Sequence, residues 1–332
     1  MVSQNKILNI PTNLVTGFLG VGKTSAILHL MEQKPADEKW AVLVNEFGSI
    51  GIDGAIYKAK GIEVKEIPGG CMCCVAGLPL QVAINRILSE TKPQRLLIEA
   101  SGLGHPKRVL DTLQGEHFQQ SLAMNASICL IDPRNLLDKR YLEHENFIDQ
   151  IMLADVLVAN KTDLCDAPTL QNFDDFASRL TPAKLKIIKT QMGRIDASLL
   201  STKTDSSRQA QFPHFHEFKH HHTASDSAEK DGYNSIGWKF NKEVIFDYDG
   251  LTKFLEQFST IRIKAIMHTN QGWMVFNIQN QEKDFFEIEA AQDSRLEILV
   301  ATHNKPILDK AALEQQLNQC ICSSPHGSKS KQ

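Results

Sequence analysis

Short apolar runs alternate with amphipathic stretches from about residue 11 to residue 193 of this 332-residue chain. A short apolar run between polar or glycine residues predicts a buried strand, and apolar residues three or four positions apart predict a helix. Strands are predicted at residues 13–16, 40–44, 62–67, 95–99, 126–131, 155–159 and 185–189. Helices are predicted at residues 24–33, 78–89, 107–113, 141–153 and 169–180. This alternation predicts an α/β fold with a doubly wound, mostly parallel sheet.

The pattern changes after residue 200. Residues 201–236 are rich in serine, lysine, glutamine, aspartate and histidine and contain few large aliphatic side chains, which predicts a linker. This linker carries a histidine cluster that consists of His214, His216, His220, His221 and His222. Such a cluster can bind Zn²⁺ or Ni²⁺ weakly through several side chains, or its histidines can simply be solvated.

A regular pattern returns at Trp238. Strands are predicted at residues 238–246, 261–268, 273–278, 285–290 and 296–301, and helices at residues 251–258 and 306–317. These elements predict a second, smaller α+β domain of mostly antiparallel strands. The predicted organisation is a first domain of residues 1–200, the linker 201–236, a C-terminal domain of residues 237–322 and a disordered tail of residues 323–332.

Composition narrows the class of protein. Hydrophobic residues make up 42% of the chain and charged residues 23%, which is ordinary for a soluble globular protein. The net charge of −3 gives no electrostatic reason to expect nucleic acid or an anionic membrane surface as a partner. No apolar run is long enough for a membrane span, and the N-terminus lacks the apolar core of a signal peptide. We therefore expect a cytoplasmic protein whose seven cysteines are mostly thiols.

The stretch Gly17-Phe-Leu-Gly-Val-Gly-Lys-Thr24 matches the phosphate-binding loop G-x-x-x-x-G-K-[ST] at every fixed position. It lies between a predicted strand and a predicted helix, where backbone N–H groups and the positive end of the helix can converge on phosphate oxygens. Lys23 adds a positive charge, and Thr24 can offer its hydroxyl to Mg²⁺. The predicted nucleotide contacts are Gly17, Gly20, Val21, Gly22, Lys23, Thr24 and Ser25.

Asn160-Lys-Thr-Asp163 follows directly on the predicted strand 155–159 and has the pattern N-K-x-D. The carboxylate of Asp163 can accept hydrogen bonds from the ring N–H and the exocyclic amine of guanine, a pair of donors that adenine does not offer. The aliphatic part of Lys161 can cover the base, and Asn160 can brace the loop. The predicted nucleotide is therefore GTP rather than ATP.

Glu99-Ala-Ser-Gly102 follows the predicted strand 95–99. Glu99 can hold Mg²⁺ or polarise the attacking water, and Gly102 can present its N–H to the γ-phosphate. Lys23, Glu99 and Gly102 are the predicted catalytic residues.

Residues 45–53 follow the second predicted strand, and we predict that they form the first switch. They contain Glu46 and Asp53. These carboxylates either reach Mg²⁺ or a second metal, or are ordinary loop carboxylates.

Cys71, Cys73 and Cys74 lie between the predicted first switch and Glu99–Gly102, the predicted second switch. Cys71 and Cys73, two positions apart in an extended segment, can point the same way, and Cys74 adds a third thiolate. Soft thiolates select Zn²⁺ or Cu(I) over Mg²⁺ and Ca²⁺. Glu46, a histidine, water or a partner's ligand can complete a tetrahedral site, and an incompletely caged site suits transfer of the metal.

Five motifs, in order along the chain, resemble those of the CobW-like GTPases. They are Gly17–Thr24, Asn45-Glu-Phe-Gly48, Gly70-Cys-Met-Cys-Cys74, Glu99-x-Ser-Gly102-x-Gly-x-Pro106 and Asn160-Lys-Thr-Asp163. These GTPases belong to the SIMIBI class of P-loop GTPases, and the motifs are most similar to those of the YeiR-like, zinc-binding branch. The C-terminal domain fits the family's second domain more loosely.

The resemblance implies GTP hydrolysis coupled to delivery of a metal, usually zinc, to client metalloproteins. It implies Cys71, Cys73 and Cys74 as the zinc ligands and Glu46 as a further candidate ligand. Ser49 stands where many relatives carry glutamate, so the resemblance does not extend to a carboxylate ligand at that position.

The leading interpretation is a Mg²⁺-dependent GTPase of low turnover that passes Zn²⁺ to a client. Because the cysteines lie between the switches, GTP and zinc are expected to favour the same state. Two alternatives stay open: a GTPase that delivers nickel or cobalt, which the histidine cluster favours, and a nucleotide-gated zinc buffer or sensor. Cys320 and Cys322 can form another soft-metal site or a redox-sensitive pair, or have no function of their own, and a homo-oligomer is compatible with the sequence.

Overall fold

The computed structural model describes residues 8–44, 51–67, 78–104, 106–204, 233–258, 262–279, 282–301 and 309–322. The chain divides into two compact units. The first consists of Met1–Ser49 and Ile62–Ala224, and the second of Ile50–Gly61 and Ser225–Gln332. The described part of each unit contains its own sheet.

The first unit contains an eight-stranded sheet within the described residues. Its strands are β1 (Ile10–Gly17), β2 (Trp40–Val44), β3 (Val64–Glu66), β4 (Arg95–Glu99), β5 (Leu122–Met124), β6 (Ile128–Ile131), β7 (Val156–Ala159) and β8 (Lys186–Lys189). Their order is β3-β2-β4-β1-β6-β7-β8, and β5 pairs with the first residues of β1. All of these pairings are parallel. The predicted α/β fold with a mostly parallel sheet is therefore confirmed.

Helices occupy most of the connections between the strands. They are α1 (Lys23–Glu32), α2 (Ile52–Ala59), α3 (Leu78–Thr91), α4 (Pro106–Gln114), α5 (Lys139–Leu142), α6 (Glu145–Leu153) and α7 (Ala167–Ser178). Short 3-10 turns lie at Pro133–Leu137, Thr162–Leu164 and Ala197–Ser201. None of the helices in the described ranges is both long enough and apolar enough to cross a membrane.

The central strands are buried because helices cover the sheet. Every residue of β2, β6 and β7 is buried, as expected for parallel strands that are covered on both faces. One apolar cluster joins β1, β2 and β4 to α3 and α4. Its members include Leu14, Leu43, Ile84, Leu88, Leu96, Ile98, Val109 and Leu113.

Parallel pairing brings the carboxyl ends of several strands to one edge of the sheet. Val15 of β1 lies opposite Glu99 of β4, and Ile131 of β6 lies opposite Ala159 of β7. The loops that follow β1, β4 and β7 therefore leave the sheet at the same edge. Ligands bind at this edge in open parallel sheets.

The second unit contains a five-stranded antiparallel sheet, counted over the described residues. Its strands are β9 (Tyr233–Asn241), β10 (Arg262–Thr269), β11 (Gly272–Gln279), β12 (Glu282–Ile288) and β13 (Asp293–Ala301), in the order β12-β11-β10-β13-β9. Helices α8 (Tyr248–Glu256) and α9 (Lys310–Gln319) share an apolar cluster with the sheet. Large members of this cluster are Trp238, Phe246, Leu251, Phe254, Phe276 and Leu317.

Helix α2 belongs to the second unit, although its sequence lies between β2 and β3. Asp53 of α2 forms an ion pair with Lys264 of β10, and the two side chains are only 9% and 12% exposed. Nη1 of Arg295 in β13 donates to the carbonyl oxygen of Gly51 at 2.6 Å. Asp53, whose carboxylate was a candidate for metal binding, is thus paired with a lysine of the C-terminal sheet.

Most predicted elements are found within a few residues of their predicted limits, with four differences, one of which is β5, a strand too short for its pattern to be predicted. The sequence pattern did not predict α2, since Gly51 and Gly54 lower the helix propensity of this short segment. The predicted helix 141–153 is divided into α5 and α6, because His144 between them is extended. Strand β9 runs from Tyr233 to Asn241 rather than over residues 238–246. The domain limits at residues 200 and 237 stay a prediction, since residues 205–232 lie outside the described ranges.

Removal of one partner of the Asp53–Lys264 pair is expected to destabilise the second unit. In Lys264→Met the carboxylate of Asp53 stays buried without this cation, and breaking a buried ion pair typically costs about 3–5 kcal/mol. Urea denaturation of the full chain measures the change in the free energy of unfolding. The double variant Asp53→Leu/Lys264→Met should regain most of the lost stability, because an apolar pair can replace a buried ion pair.

The matched control is Lys283→Met in the same unit. Lys283 and Glu256 form an ion pair whose side chains are both 41% exposed, and such pairs contribute about 0–1 kcal/mol. Equal losses of stability in Lys264→Met and Lys283→Met would contradict a structural role for the buried pair.

Candidate nucleotide site

The phosphate loop connects β1 to α1 at the carboxyl edge of the parallel sheet. Gly17 and Gly22 both have positive φ, of 138° and 95°. A Cβ atom at Gly17 would lie 2.4 Å from the carbonyl oxygen of Leu130, and one at Gly22 would lie 2.5 Å from Nδ2 of Asn160. Only glycine allows the backbone to pass so close to these neighbours.

Lys23 is the first residue of α1 and is 7% exposed. Its Nζ donates to the carbonyl oxygens of Gly17 at 2.9 Å and Phe18 at 3.1 Å, so the ammonium group lies inside the loop. The N–H groups at the start of α1 add a positive partial charge there. The arrangement can therefore bind phosphate. Of the other predicted contacts in the loop, Gly20 has a φ of 68°, Val21 is buried and Ser25 is exposed on α1.

Thr24 and Glu99 come together although they are far apart in the sequence. Oγ1 of Thr24 donates to Oε1 of Glu99 at 2.9 Å, and Glu99 is 3% exposed. Mg²⁺ prefers oxygen ligands in octahedral geometry at about 2.1 Å, so two adjacent ligands lie about 3 Å apart. The chemistry and spacing of these two oxygen atoms fit a magnesium site.

Asn160 joins the phosphate loop to the segment that is predicted to read guanine. It is 2% exposed, and its Nδ2 donates to the carbonyl oxygen of Val21 at 2.9 Å. Its Oδ1 accepts a hydrogen bond from the N–H of Gly193, also at 2.9 Å. The side-chain amide thus uses both its donor and its acceptor to hold two loops, in agreement with the bracing role considered from the sequence.

Lys161 and Asp163 are positioned by a short turn after β7. Lys161 has a φ of 60°, and its Nζ lies 3.9 Å from Oδ2 of Asp132. Asp163 lies in the 3-10 turn Thr162–Leu164 and is exposed. Its carboxylate is therefore accessible to a base that covers this edge of the sheet.

The loop that follows β8 also takes part in the site, and the sequence analysis did not assign it. The carbonyl oxygen of Thr190 accepts hydrogen bonds from the backbone N–H and Oγ1 of Thr162. Gly193 has a φ of 70°, and a Cβ atom there would lie 2.7 Å from the backbone nitrogen of Ala26 in α1. The signal that could have identified this loop is a glycine just after the last strand of a parallel sheet.

The loop after β4 lies against the phosphate loop. A Cβ atom at Gly102 would lie 2.7 Å from Cδ2 and 3.0 Å from the backbone nitrogen of Leu19. Gly102 can therefore approach a nucleotide that is held by the phosphate loop.

The predicted zinc ligands Cys71, Cys73 and Cys74, the candidate ligand Glu46 and the histidine cluster lie outside the described residues. Within the described ranges, no group of three or more histidine, cysteine, aspartate or glutamate side chains could hold a metal ion. Cys320 and Cys322 are free thiols, and burial, followed by the charge of Asp247, raises the pKa of Cys320. A raised pKa disfavours the thiolate that binds metals. Burial likewise raises the pKa of Cys129 to about 11.

The loops that follow β1, β4 and β7 lie at the carboxyl edge of a parallel sheet. With the phosphate loop among them, they define the class of this protein: it is a P-loop nucleotide-binding protein. Residues 11–189 match the family model CobW/HypB/UreG, nucleotide-binding domain. The chain belongs to this family, and the family membership predicted from the motifs is confirmed.

Several relatives are similar over much of the chain. The identity to the zinc chaperone YeiR of Escherichia coli (strain K12) is 39% over an alignment of 306 positions, and the match covers 87% of this chain and 92% of that protein. The identity to the zinc chaperone CobW of Sinorhizobium sp is 28% over an alignment of 258 positions, and the match covers 68% of this chain and 72% of that protein. Among solved structures, that of the Zn(II)-bound YjiA GTPase from E. coli is similar over 94% of this chain and 99% of that chain, with 17% identity and a TM-score of 0.44.

Asn160→Ala is expected to weaken the binding of both GDP and GTP about tenfold or more. The substitution removes two hydrogen bonds and leaves buried partners on both loops unpaired, at a cost of about 1–3 kcal/mol each. Titration with a fluorescent guanine nucleotide measures the affinity.

The matched control is Asn125→Ala, since Asn125 is 4% exposed and donates to the carbonyl oxygen of Leu200 in the same unit. This control should lose stability but keep its nucleotide affinity. An unchanged affinity in Asn160→Ala would show that the brace does not support the site.

Proposed function

We propose that this protein is a zinc chaperone GTPase, which couples GTP binding and hydrolysis to the transfer of Zn²⁺ to a client metalloprotein. The observation that carries the proposal is that one chain contains both the nucleotide site and a cluster of three cysteines. The nucleotide site lies at the carboxyl edge of the sheet, and the chain that leaves this edge after β3 contains Cys71, Cys73 and Cys74. The names of the relatives, zinc chaperones YeiR and CobW, support the same function.

The residues of the nucleotide site have distinct tasks in this proposal. The N–H groups of the phosphate loop and the ammonium group of Lys23 hold the phosphates. Thr24 and Glu99 hold Mg²⁺, which neutralises the charge that develops on the phosphate oxygens. Gly102 presents its N–H to the γ-phosphate, and Asp163 reads guanine while Asn160 and Lys161 hold its loop and the base.

Zinc is the cargo, and it requires different donors. The thiolates of Cys71, Cys73 and Cys74 are soft ligands that select Zn²⁺, whereas the oxygens of Thr24 and Glu99 select Mg²⁺. Three thiolates leave one tetrahedral position for Glu46 or for a ligand of the client. Entry of a client's ligand at that position would start the transfer.

We propose that the two segments that follow β2 and β3 couple the nucleotide site to the zinc ligands. The predicted first switch, residues 45–53, extends into α2, which the Asp53–Lys264 pair binds to the C-terminal sheet. The cysteine segment continues into α3. Contacts of the switches with the γ-phosphate would therefore affect both the zinc ligands and the second unit.

The chemistry of the proposed site also indicates the compartment and the partner of the protein. A thiolate site needs the reducing conditions of the cytoplasm, and the partner is a client metalloprotein rather than nucleic acid or a membrane. A homo-oligomer is compatible with the proposal. The histidine cluster favours nickel or cobalt as an alternative cargo, and a nucleotide-gated zinc buffer is the alternative that needs no client.

Replacement of Cys71, Cys73 and Cys74 by serine is expected to abolish stoichiometric zinc binding, because a neutral hydroxyl is a poor ligand for Zn²⁺. Zinc content after dialysis is measured by atomic absorption, and GTP hydrolysis by phosphate release. The control Cys320→Ser/Cys322→Ser removes the other pair of candidate thiols and should retain the zinc.

An unchanged zinc content in the triple variant would disprove the cysteine site. Competition among Zn²⁺, Ni²⁺ and Co²⁺ for the GTP-bound protein identifies the cargo. Activation of a zinc-free metalloenzyme by the loaded protein distinguishes a chaperone from a buffer.

Zinc is expected to tighten the binding of a non-hydrolysable GTP analogue by about 5- to 150-fold, the usual range for coupled sites. The same factor must apply to the effect of the analogue on zinc binding, because linkage is reciprocal. Calorimetric titrations of each ligand with and without the other measure both factors. GDP is the control and should show weaker coupling, and equal affinities with and without zinc would rule out the coupling.

A further inference from the structure

Helix α6 places two buried amide side chains against the loop that follows β4. Asn146 is 4% exposed and Gln150 is 1% exposed. They lie four positions apart and therefore on the same face of the helix. The loop that they contact, Gly102–Gly104, contains the glycine assigned to the γ-phosphate.

The two amides hold three consecutive carbonyl groups. Nδ2 of Asn146 donates to the carbonyl oxygen of Leu103 at 2.7 Å. Nε2 of Gln150 donates to the carbonyl oxygens of Gly102 at 3.1 Å and Gly104 at 3.3 Å. Because peptide groups are planar, the carbonyl directions of Gly102 and Leu103 also set the directions of the N–H groups of Leu103 and Gly104, just after the N–H of Gly102. The side chains therefore determine how the loop presents its backbone.

The acceptor atoms of the same amides are unused. Oδ1 of Asn146 and Oε1 of Gln150 are buried and have no hydrogen-bond partner in the described part of the chain. Buried amide oxygens normally have a partner. The N–H groups of Leu103 and Gly104 already donate to Ser101. Within the described residues, the two amides therefore act on the loop through their N–H donors.

Both the loop and α6 also contact the phosphate loop. Gly102 lies so close to Leu19 that a Cβ atom could not be accommodated there. The ring of Phe147 in α6 meets the ring of Phe18 edge-on, with centroids 5.8 Å apart. A change at the phosphates can therefore reach the amides through directly contacting residues.

We propose that Asn146 and Gln150 are positioning residues for GTP hydrolysis, which hold Gly102–Gly104 in place for the γ-phosphate through their N–H donors. The inference rests on the proposed GTPase function. GDP lacks the γ-phosphate, so the amides should affect hydrolysis and the binding of GTP but not the binding of GDP.

The first test uses Gln150→Met, which keeps the length of the side chain but removes its donor. The expected result is a fall in kcat of about 10- to 100-fold with unchanged GDP affinity, since buried carbonyl oxygens lose their donor. Asn146→Leu should act in the same direction. The control is Asn125→Leu, a buried asparagine hydrogen-bonded to Leu200 in the same unit, which should keep its kcat. Parallel losses of kcat and GDP affinity would indicate a general structural role and overturn the proposal.

The second test uses Gln150→Glu and separates the donor from the shape of the side chain. A protonated glutamic acid can donate to the carbonyl oxygen of Gly102, whereas the carboxylate repels it, and burial raises the pKa of such a group. The kcat of this variant, divided by that of the wild type, should therefore fall as the pH rises. The charged side chains around Gln150, including its neighbour Asp149 in α6, are the same in both proteins, so their effect largely cancels in the ratio.

The two hypotheses fail in different ways. A wild-type protein that does not hydrolyse GTP would disprove the proposed function. A wild-type protein that does so, together with a pH-independent ratio and a normal kcat in Gln150→Met, would disprove only the role of the amides.

Discussion

The side chain of Asn160 joins the segments on which the nucleotide site depends. Its amide donates to Val21 in the phosphate loop and accepts from Gly193 in the loop after β8, while its backbone begins the guanine-reading segment. The close approach of its Nδ2 excludes any side chain at Gly22. The amide is almost fully buried, so a lost bond would leave its partner unpaired away from water. One buried amide thus sets the distance between the region that binds phosphate and the region that binds the base.

The chemistry of the ligands separates the two metals in the proposed function. Thr24 and Glu99 supply oxygen atoms at the spacing of adjacent magnesium ligands, and they do so because parallel pairing aligns the ends of β1 and β4. The cysteine segment supplies sulfur atoms, which favour zinc. A protein that keeps hard and soft donors in separate segments can load magnesium with GTP without occupying its cargo site. The order of the segments along the chain, with the cysteines between the two switches, would then link the state of the nucleotide to the cargo.

Helix α2, next to the predicted first switch, and the loop after β4 each have buried polar contacts with another element. Helix α2 after the first switch is paired through Asp53 with the C-terminal sheet, and the loop after β4 is hydrogen-bonded to α6. Hydrogen bonds and ion pairs depend on geometry more strongly than apolar packing does, so such contacts can favour one arrangement of a segment over another. The same nucleotide could in this way act on two parts of the protein.

The sequence by itself determined the parallel sheet and most of its strands and helices, and its motifs predicted the phosphate loop and the guanine-reading segment. These features depend on local patterns, namely apolar periodicity and motifs of adjacent residues, and the family model matches the part of the chain that contains them. The assignment of α2 to the second unit, the Thr24–Glu99 contact, the loop at Gly193 and the amides of α6 were decided only by the tertiary structure. Each of these joins residues that are dozens to hundreds of positions apart. Their side chains have no distinctive local pattern, because an aspartate, an asparagine or a glutamine on an amphipathic helix can equally face solvent. Only the packing of the sheet and helices decides which of them are buried and which groups they contact.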